Sequence, residues 1–176
     1  MIYFTSDTHF GHGTLCAKGH RPFSSYEEMD NVLMSAWNAR VTQADDVYHL
    51  GDFAWRNPRD YFLKLRGTKH LIIGNHDHTA TRKQPWASVQ PALELEIGAD
   101  LVCLSHYAYR VWNKSHYGSI HLYGHSHSNL PGDNQCCDVG VDNRWTNWGP
   151  VTLEEIKAQL ATQPARVPVD HHVGRE

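Results

Sequence analysis

Seven residues able to bind a divalent cation recur in one local setting, each just after a short apolar run. Asp7 and His9 follow Ile2-Tyr3-Phe4-Thr5-Ser6, Asp52 follows Val47-Tyr48-His49-Leu50-Gly51, and Asn75 follows Leu71-Ile72-Ile73-Gly74. His106 follows Leu101-Val102-Cys103-Leu104-Ser105, and His125 and His127 follow Ile120-His121-Leu122-Tyr123-Gly124. Carboxylate, imidazole and amide oxygen without thiolate suit Mn²⁺ first, with Fe, Zn²⁺, Co²⁺ or Ni²⁺ as alternatives. Seven donors exceed one open catalytic ion and suit two ions sharing a carboxylate, and Asp52 after Gly51 offers a carboxylate able to bridge. Asp7-Thr8-His9 and His125-Ser126-His127 each place two donors at i and i+2, which in an extended backbone point to one side. Singly, His9 or His127 reads as an ordinary polar or core histidine, and Asp52 or Asn75 as a turn residue after glycine. Their ordered recurrence argues for metal.

The runs themselves predict buried strands, with the donors on loops just past the strand ends, where α/β proteins build sites. Helices fit between them. Ser24 or Ser25 with Glu27 or Glu28 starts one whose apolar face, Met29, Val32, Leu33, Ala36 and Trp37, runs to about Arg40. Pro58 opens a second, containing Leu63 and Leu65 and stopped by Gly67, and Thr152 with Glu155 opens a last one through Ile156 and Leu160. Ala92–Ile97 is expected to pair with Leu101–Ser105 as a hairpin across Gly98-Ala99-Asp100, and Cys137–Val141 to form another strand. Ala80–Val89 fits neither pattern. Without internal repeats or a linker, the reading is one layered α/β domain with mixed sheets over residues 1–163 and a loosely ordered tail over 164–176.

Composition sets bounds. The chain has 176 residues, enough for one sizeable core, with 40% hydrophobic and 20% charged residues. A net charge of −3 argues against a strong general grip on nucleic acid, yet admits a nucleotide substrate if metal supplies the positive charge. No run approaches the roughly 20 apolar residues of a membrane span, no export signal is read at Met1-Ile2-Tyr3-Phe4, and the four cysteines match no CxxC pattern. A reduced, cytoplasmic location is expected. Fourteen histidines are the outlier, spread from His9 to His172.

Asp7-x-His9, Gly51-Asp52, Gly74-Asn75-His76-Asp77, His106 and Gly124-His125-x-His127 together resemble, in order, the motifs of calcineurin-like metallophosphoesterases. Val139-Gly140-Val141-Asp142 is similar to that family's closing strand. The resemblance implies a four-layer fold, two mixed sheets packed as a sandwich flanked by helices. It also implies that Asp7, His9, Asp52 and His127 hold one metal and Asp52, Asn75, His106 and His125 the other. The bridging water that such ions activate would attack phosphorus. By the same resemblance His76 faces substrate as general acid to the leaving group, with Asp77 orienting or polarising its imidazole.

Other residues are open to two readings. His12 in Gly11-His12-Gly13 is a contact to phosphate or substrate or else a loop histidine, and Arg21 is a phosphate clamp or else a surface or packing residue. His49 and His121 lie inside strand patterns and read as structural, and the six tryptophans read as core or rim packing rather than a base-stacking platform. Phe53-Ala54-Trp55-Arg56 after Gly51-Asp52 departs from the GDxxDRG signature of Ser/Thr protein phosphatases, and the Gly124-His125-Ser126-His127 ending resembles the phosphodiesterase and nuclease branch. The expected activity is therefore a phosphodiesterase on nucleotides or short nucleic-acid ends. A phosphomonoesterase of small substrates is the runner-up, and a catalytically inactive metal-binding interaction protein is the reading from another class.

Overall fold

The computed structural model describes residues 1–167 and 169. Its strands are β1 (Ile2–Thr5), β2 (Asp46–His49), β3 (Thr68–Ile72), β4 (Ser88–Gln90), β5 (Ala92–Ile97), β6 (Asp100–Ser105), β7 (Ile120–Tyr123), β8 (Cys136–Asp138) and β9 (Val151–Thr152). Its helices are α1 (Gly13–Ala17), α2 (Tyr26–Arg40), α3 (Pro58–Lys64), α4 (Thr79–Arg82) and α5 (Leu153–Leu160). One sheet has the order β4-β3-β2-β1-β9 and is parallel except for β9; the other has the order β5-β6-β7-β8 and is parallel except for the β5–β6 hairpin. Both sheets are mixed, as expected.

Alternation along the central strands builds two cores. Tyr3, Val47 and Leu71 join Met29, Leu33, Trp37 and Phe62 on the helix side of the first sheet. Phe4, Tyr48 and Ile72, one residue on, meet Val102, Leu104, Ile120 and Leu122 of the second sheet, with Ile156 and Leu160 of α5 closing the same core. A strand buried on both faces must be apolar at successive positions, which is why these runs lack a clean two-residue alternation. On the outer face of the second sheet, Tyr109 and Trp112 lie against His121, and the next turn is the 3₁₀ segment Ser115–Tyr117.

Local chemistry sets the helix ends. The Ser25 side chain accepts from Glu28 N, while the Glu28 carboxylate takes the Ser24 N–H and hydroxyl. Thr152 and Glu155 form the reciprocal capping box at α5. In α3 the buried side chain is Phe62, and Leu63 is exposed. The expected hairpin turn is tighter than predicted, because Ile97 pairs with Asp100 and leaves only Gly98 and Ala99 between the strands. Gly98, at φ +61°, suits the first position of such a turn. The 80–89 segment resolves into the end of α4 and β4, and α1 is a short helix that no periodicity signalled. Ladder pairing in β8 stops at Asp138, after which Val139 and Val141 are buried and Gly140 bridges to Ser6, tying the two sheets together.

Of the tail, Pro164 O accepts from Asn134 N, and Arg166 pairs with Asp133 and lies 3.9 Å over the Trp112 ring. The expectation for His171, His172 and the other residues after 169 lies outside the described residues. No helix among those described is long and apolar enough to cross a membrane.

Leu122, fully buried between the sheets, tests the packing. Leu122→Ala is expected to cost about 2–5 kcal/mol in urea unfolding, against within about 0.5 kcal/mol for the exposed Leu63→Ala.

Candidate metal centre

The strand ends of β1 and β2 continue as two loops zipped in parallel. Asp7 N donates to Gly51 O, His9 N to Asp52 O and Phe10 N to Phe53 O, at 3.0–3.1 Å. Within these loops the premise of an extended backbone is corrected. Asp7, His9, Asp52, His125 and His127 all have positive φ, between 45° and 65°. Non-glycine residues adopt this region at a cost, and clusters of them mark sites where side-chain direction matters. The turn from β2 also needs glycine at 51, because φ is +95° and a Cβ there would lie 2.5 Å from His106 Nδ1 and 2.7 Å from the Gly74 backbone. The loops after β2, β3 and β6 are that close.

Seven donors converge as a result. Asp7, His9 and His127 form one group and Asp52, His106 and His125 another, the ligand atoms of each lying within 4.8 Å of one another. Asp52 Oδ2 stands between the groups, 3.6 Å from both His9 Nε2 and His106 Nε2. Asn75 Oδ1 joins the second group at 2.9 Å from His106 Nε2. The outer carboxylate oxygens are held by backbone: Asp7 Oδ2 accepts from His125 N at 2.9 Å and Asp52 Oδ1 from His76 N at 2.8 Å. The inner oxygens face the centre.

Three observations test whether this set fits cations. First, Asp7 Oδ1 and both His9 ring nitrogens are buried without a hydrogen-bond partner, a cost that native structures rarely leave uncompensated. Second, His106 Nδ1 donates to Leu50 O at 2.8 Å, so in the neutral ring Nε2 carries a lone pair, and it faces the Asn75 carbonyl oxygen, another acceptor. Two acceptors at 2.9 Å repel unless a cation or proton lies between them. Third, burial pushes the Asp7 carboxyl well above the usual range and holds the His9 imidazole well below its own, the latter reinforced by Arg21. A neutral imidazole is the ligating form, and a divalent ion would offset the desolvation of Asp7. The donor set fits two oxygen- and nitrogen-loving cations.

Behind the first group lies a chain of contacts that spacing did not reveal. His127 Nδ1 donates to Asp142 Oδ2 at 2.6 Å, leaving Nε2 for the centre, and Asp142 is gripped at both oxygens by Arg21 at 2.7 Å. Arg21 also donates to the Asp7 and Thr8 carbonyls. The phosphate-clamp reading of Arg21 is corrected by this geometry: the side chain is buried, with its donors committed inside the protein. It fixes the backbone of the Asp7 loop and, through Asp142, the ring of His127. The signal for Asp142 was the same apolar-run-then-carboxylate pattern that marked Asp7 and Asp52.

The expected Asp77–His76 pairing is corrected as well. Asp77 is buried, and its carboxylate accepts from Asp52 N, Phe53 N and Gly74 N at 2.8–3.0 Å, stitching the β2 and β3 loops together. His76 stands half-buried at the rim, its ring 5.6 Å from that of His9. His12 lies on the same side, 5.5 Å from His9, its pKa lowered by burial and then by the neighbouring His76. Across the centre Tyr107 donates to Asn75 Oδ1 at 3.3 Å and packs on His125. His49 accepts its place in the core: its Nε2 meets the Thr8 hydroxyl at 2.9 Å, and burial lowers its pKa to about 3.

Burial alone would raise the Asp142 carboxyl, but hydrogen bonds from His127 and Arg21 outweigh it and hold the group well below the usual range. A depressed carboxyl contributes stability that is present above its unfolded pKa of about 4 and is lost as pH falls below that value. Asp142→Asn is therefore expected to lower unfolding free energy at pH 7 by about 3–5 kcal/mol, because Arg21 loses its buried counter-charge. Urea titrations from pH 7 down to pH 3 should show the variant's deficit shrinking as the wild type loses its advantage.

The calcineurin-like phosphoesterase superfamily domain matches residues 1–160. The uncharacterized protein MJ1445 of Methanocaldococcus jannaschii is 41% identical over 81 residues, 43% of this chain and 46% of that protein, so the match spans under half of that relative's length. The Gene 66 protein of Mycobacterium phage D29 is 29% identical over 161 residues, 73% of this chain and 79% of that one. Among solved structures, the protein of unknown function AQ665 from Aquifex aeolicus shares the fold, with a TM-score of 0.70 at 22% identity over 90% of this chain and 98% of that one. With the match running from β1 to the end of α5, the chain belongs to the calcineurin-like phosphoesterase superfamily.

Proposed function

We propose that the protein hydrolyses phosphoesters at a pair of divalent transition-metal ions, with phosphodiesters of nucleotides or short nucleic-acid ends as its first substrate class. The observation that supports this most is the Asp52 carboxylate, whose Oδ2 is equidistant from His9 and His106, next to an Asp7 oxygen with no donor. Asp7, His9, His127 and Asp52 would hold one ion, and Asp52, Asn75, His106 and His125 the other. Two such ions, when bound, polarise phosphoryl oxygens, offset their charge and make water a nucleophile near neutral pH.

The rest of the work falls to the chain. Asp52 N–H and Gly74 N–H donate to Asp77, and Asp52 Oδ1 accepts from His76 N, which holds the carboxylate that would bridge the ions. Arg21 and Asp142 hold the His127 ring with one nitrogen turned inward. His76, outside both ligand groups, has its backbone pinned to Asp52 Oδ1 and its ring at the rim, where it would give a proton to the departing oxygen. The four cysteines are free thiols, which agrees with the proposed reduced, cytoplasmic setting. The net charge of −3 favours small phosphoesters over a general hold on nucleic acid.

Chelation is expected to abolish turnover of an aryl phosphodiester and an aryl phosphomonoester, and added Mn²⁺ to restore it, with the diester the faster. A metal-loaded protein that turned over neither ester would favour the binding-protein reading; a faster monoester would reverse the substrate order. His76→Ala should keep two metals per chain by elemental analysis yet lose about 10²–10⁴-fold on alkyl leaving groups and far less on aryl ones, whose oxygen needs little protonation. Equal losses on both would remove His76 as the acid.

A further inference from the structure

Trp55 does not behave as packing. Phe53 and Ala54 before it are buried, whereas Trp55 is 47% exposed and opens an exposed stretch with Arg56 and Asn57. The position is nonetheless rigid: Trp55 N donates to Phe10 O at 2.9 Å, Ala54 bridges Phe10, and the next residue, Arg56, lies against Gly11 and over the Tyr26 ring. The indole therefore projects from a fixed loop onto the rim of the metal centre. There it stacks on His12 with ring centroids 4.0 Å apart and planes within 8°, and its centroid is 5.2 Å from that of His76. His12 is in turn 5.5 Å from the candidate ligand His9.

This arrangement is a backed aromatic plate. The imidazole covers one face of the indole, and about half of the residue is left to solvent beside the proposed acid. A tryptophan held on a hydrogen-bonded loop beside His12 and His76 presents an aromatic face to whatever occupies the neighbouring centre. A flat heteroaromatic ring fits best, because stacking on indole is strong for any nucleobase and needs no hydrogen-bond match. A sugar can also lay its C–H face on an indole, so the probes below share the sugar and differ in the base.

We propose that Trp55, backed by His12, is a stacking subsite for a nucleobase of the phosphoester substrate, and so a specificity-determining residue. The proposal rests on the reading of the neighbouring cluster as a phosphoester site and narrows its substrates to nucleotides. It replaces the expectation that all six tryptophans serve packing.

The test compares adenosine 5′-monophosphate with ribose 5-phosphate as inhibitors of aryl phosphodiester turnover by the Mn²⁺-loaded full chain. These probes share the ribose 5-phosphate and differ at C1′, which carries adenine in one and a hydroxyl in the other. The nucleotide is expected to inhibit at about tenfold lower concentration, within the range that one base stack supplies. In Trp55→Ala the ratio of the two constants should fall to near one, and Trp55→Phe should restore most of it. An unchanged ratio in Trp55→Ala, or a wild-type ratio near one, overturns the subsite while leaving phosphoester hydrolysis in place. If no ester is turned over, hydrolysis itself fails, and the subsite is still decided by calorimetric titration of the same two probes into the same three proteins. Circular dichroism of each variant checks that the exposed substitution leaves the fold intact.

Discussion

Everything around this site answers to the desolvation of two aspartates. Asp7 and Asp52 are buried at the junction of the sheets, and an ionised carboxylate in such surroundings is costly unless charge or hydrogen bonds compensate it. The protein supplies half of that compensation, one backbone N–H to the outer oxygen of each. The inner oxygens are left to neighbours of ligand type. Cations in the proposed positions would complete the account, and the strained backbone at five of the donors is the structural cost of aiming them at one volume.

A second group of buried charges makes that aim hold. Arg21–Asp142 and Asp77 contribute no donor to the centre, yet each joins segments that carry donors. Arg21 reaches the β1 loop through two carbonyls and the His127 loop through Asp142. Asp77 joins the β2 and β3 loops through three backbone N–H groups. A carboxylate suits this work because it accepts several bonds at once, and a guanidinium because it donates along a rigid planar fork. Removing either partner would leave the other buried and unpaired, which is costly.

The site is also asymmetric. Trp55, His12 and His76 gather on the His9 side, and Tyr107 with the exposed His125 on the other. A diester lying across the two ion positions would thus meet different chemistry at its two ends, an aromatic plate with a proton donor at one and a phenol at the other. In the proposed reading this rim, rather than the seven donors, would distinguish one substrate from another.

Much of this was legible in the chain before any coordinates. The seven donors stand out because each follows an apolar run, and a strand end is the one place where a short side chain can reach a shared volume from several directions. The strand runs, the helix over 26–40 and the capping box of α5 follow from local signals of burial and hydrogen bonding, whereas the division into two mixed sheets came from the family resemblance. Arg21, Asp77, Asp142 and Trp55 are different. Whether an arginine grips a ligand or a buried carboxylate 121 positions away, whether Asp77 turns to its neighbouring imidazole or to three amides, and whether a tryptophan faces core or solvent are decided by which loops meet. Those meetings involve partners far apart in sequence, and no periodicity records them. Residue type and spacing determined what chemistry the chain carries; tertiary contact decided which side chains are free to perform it and which are spent holding the others in place.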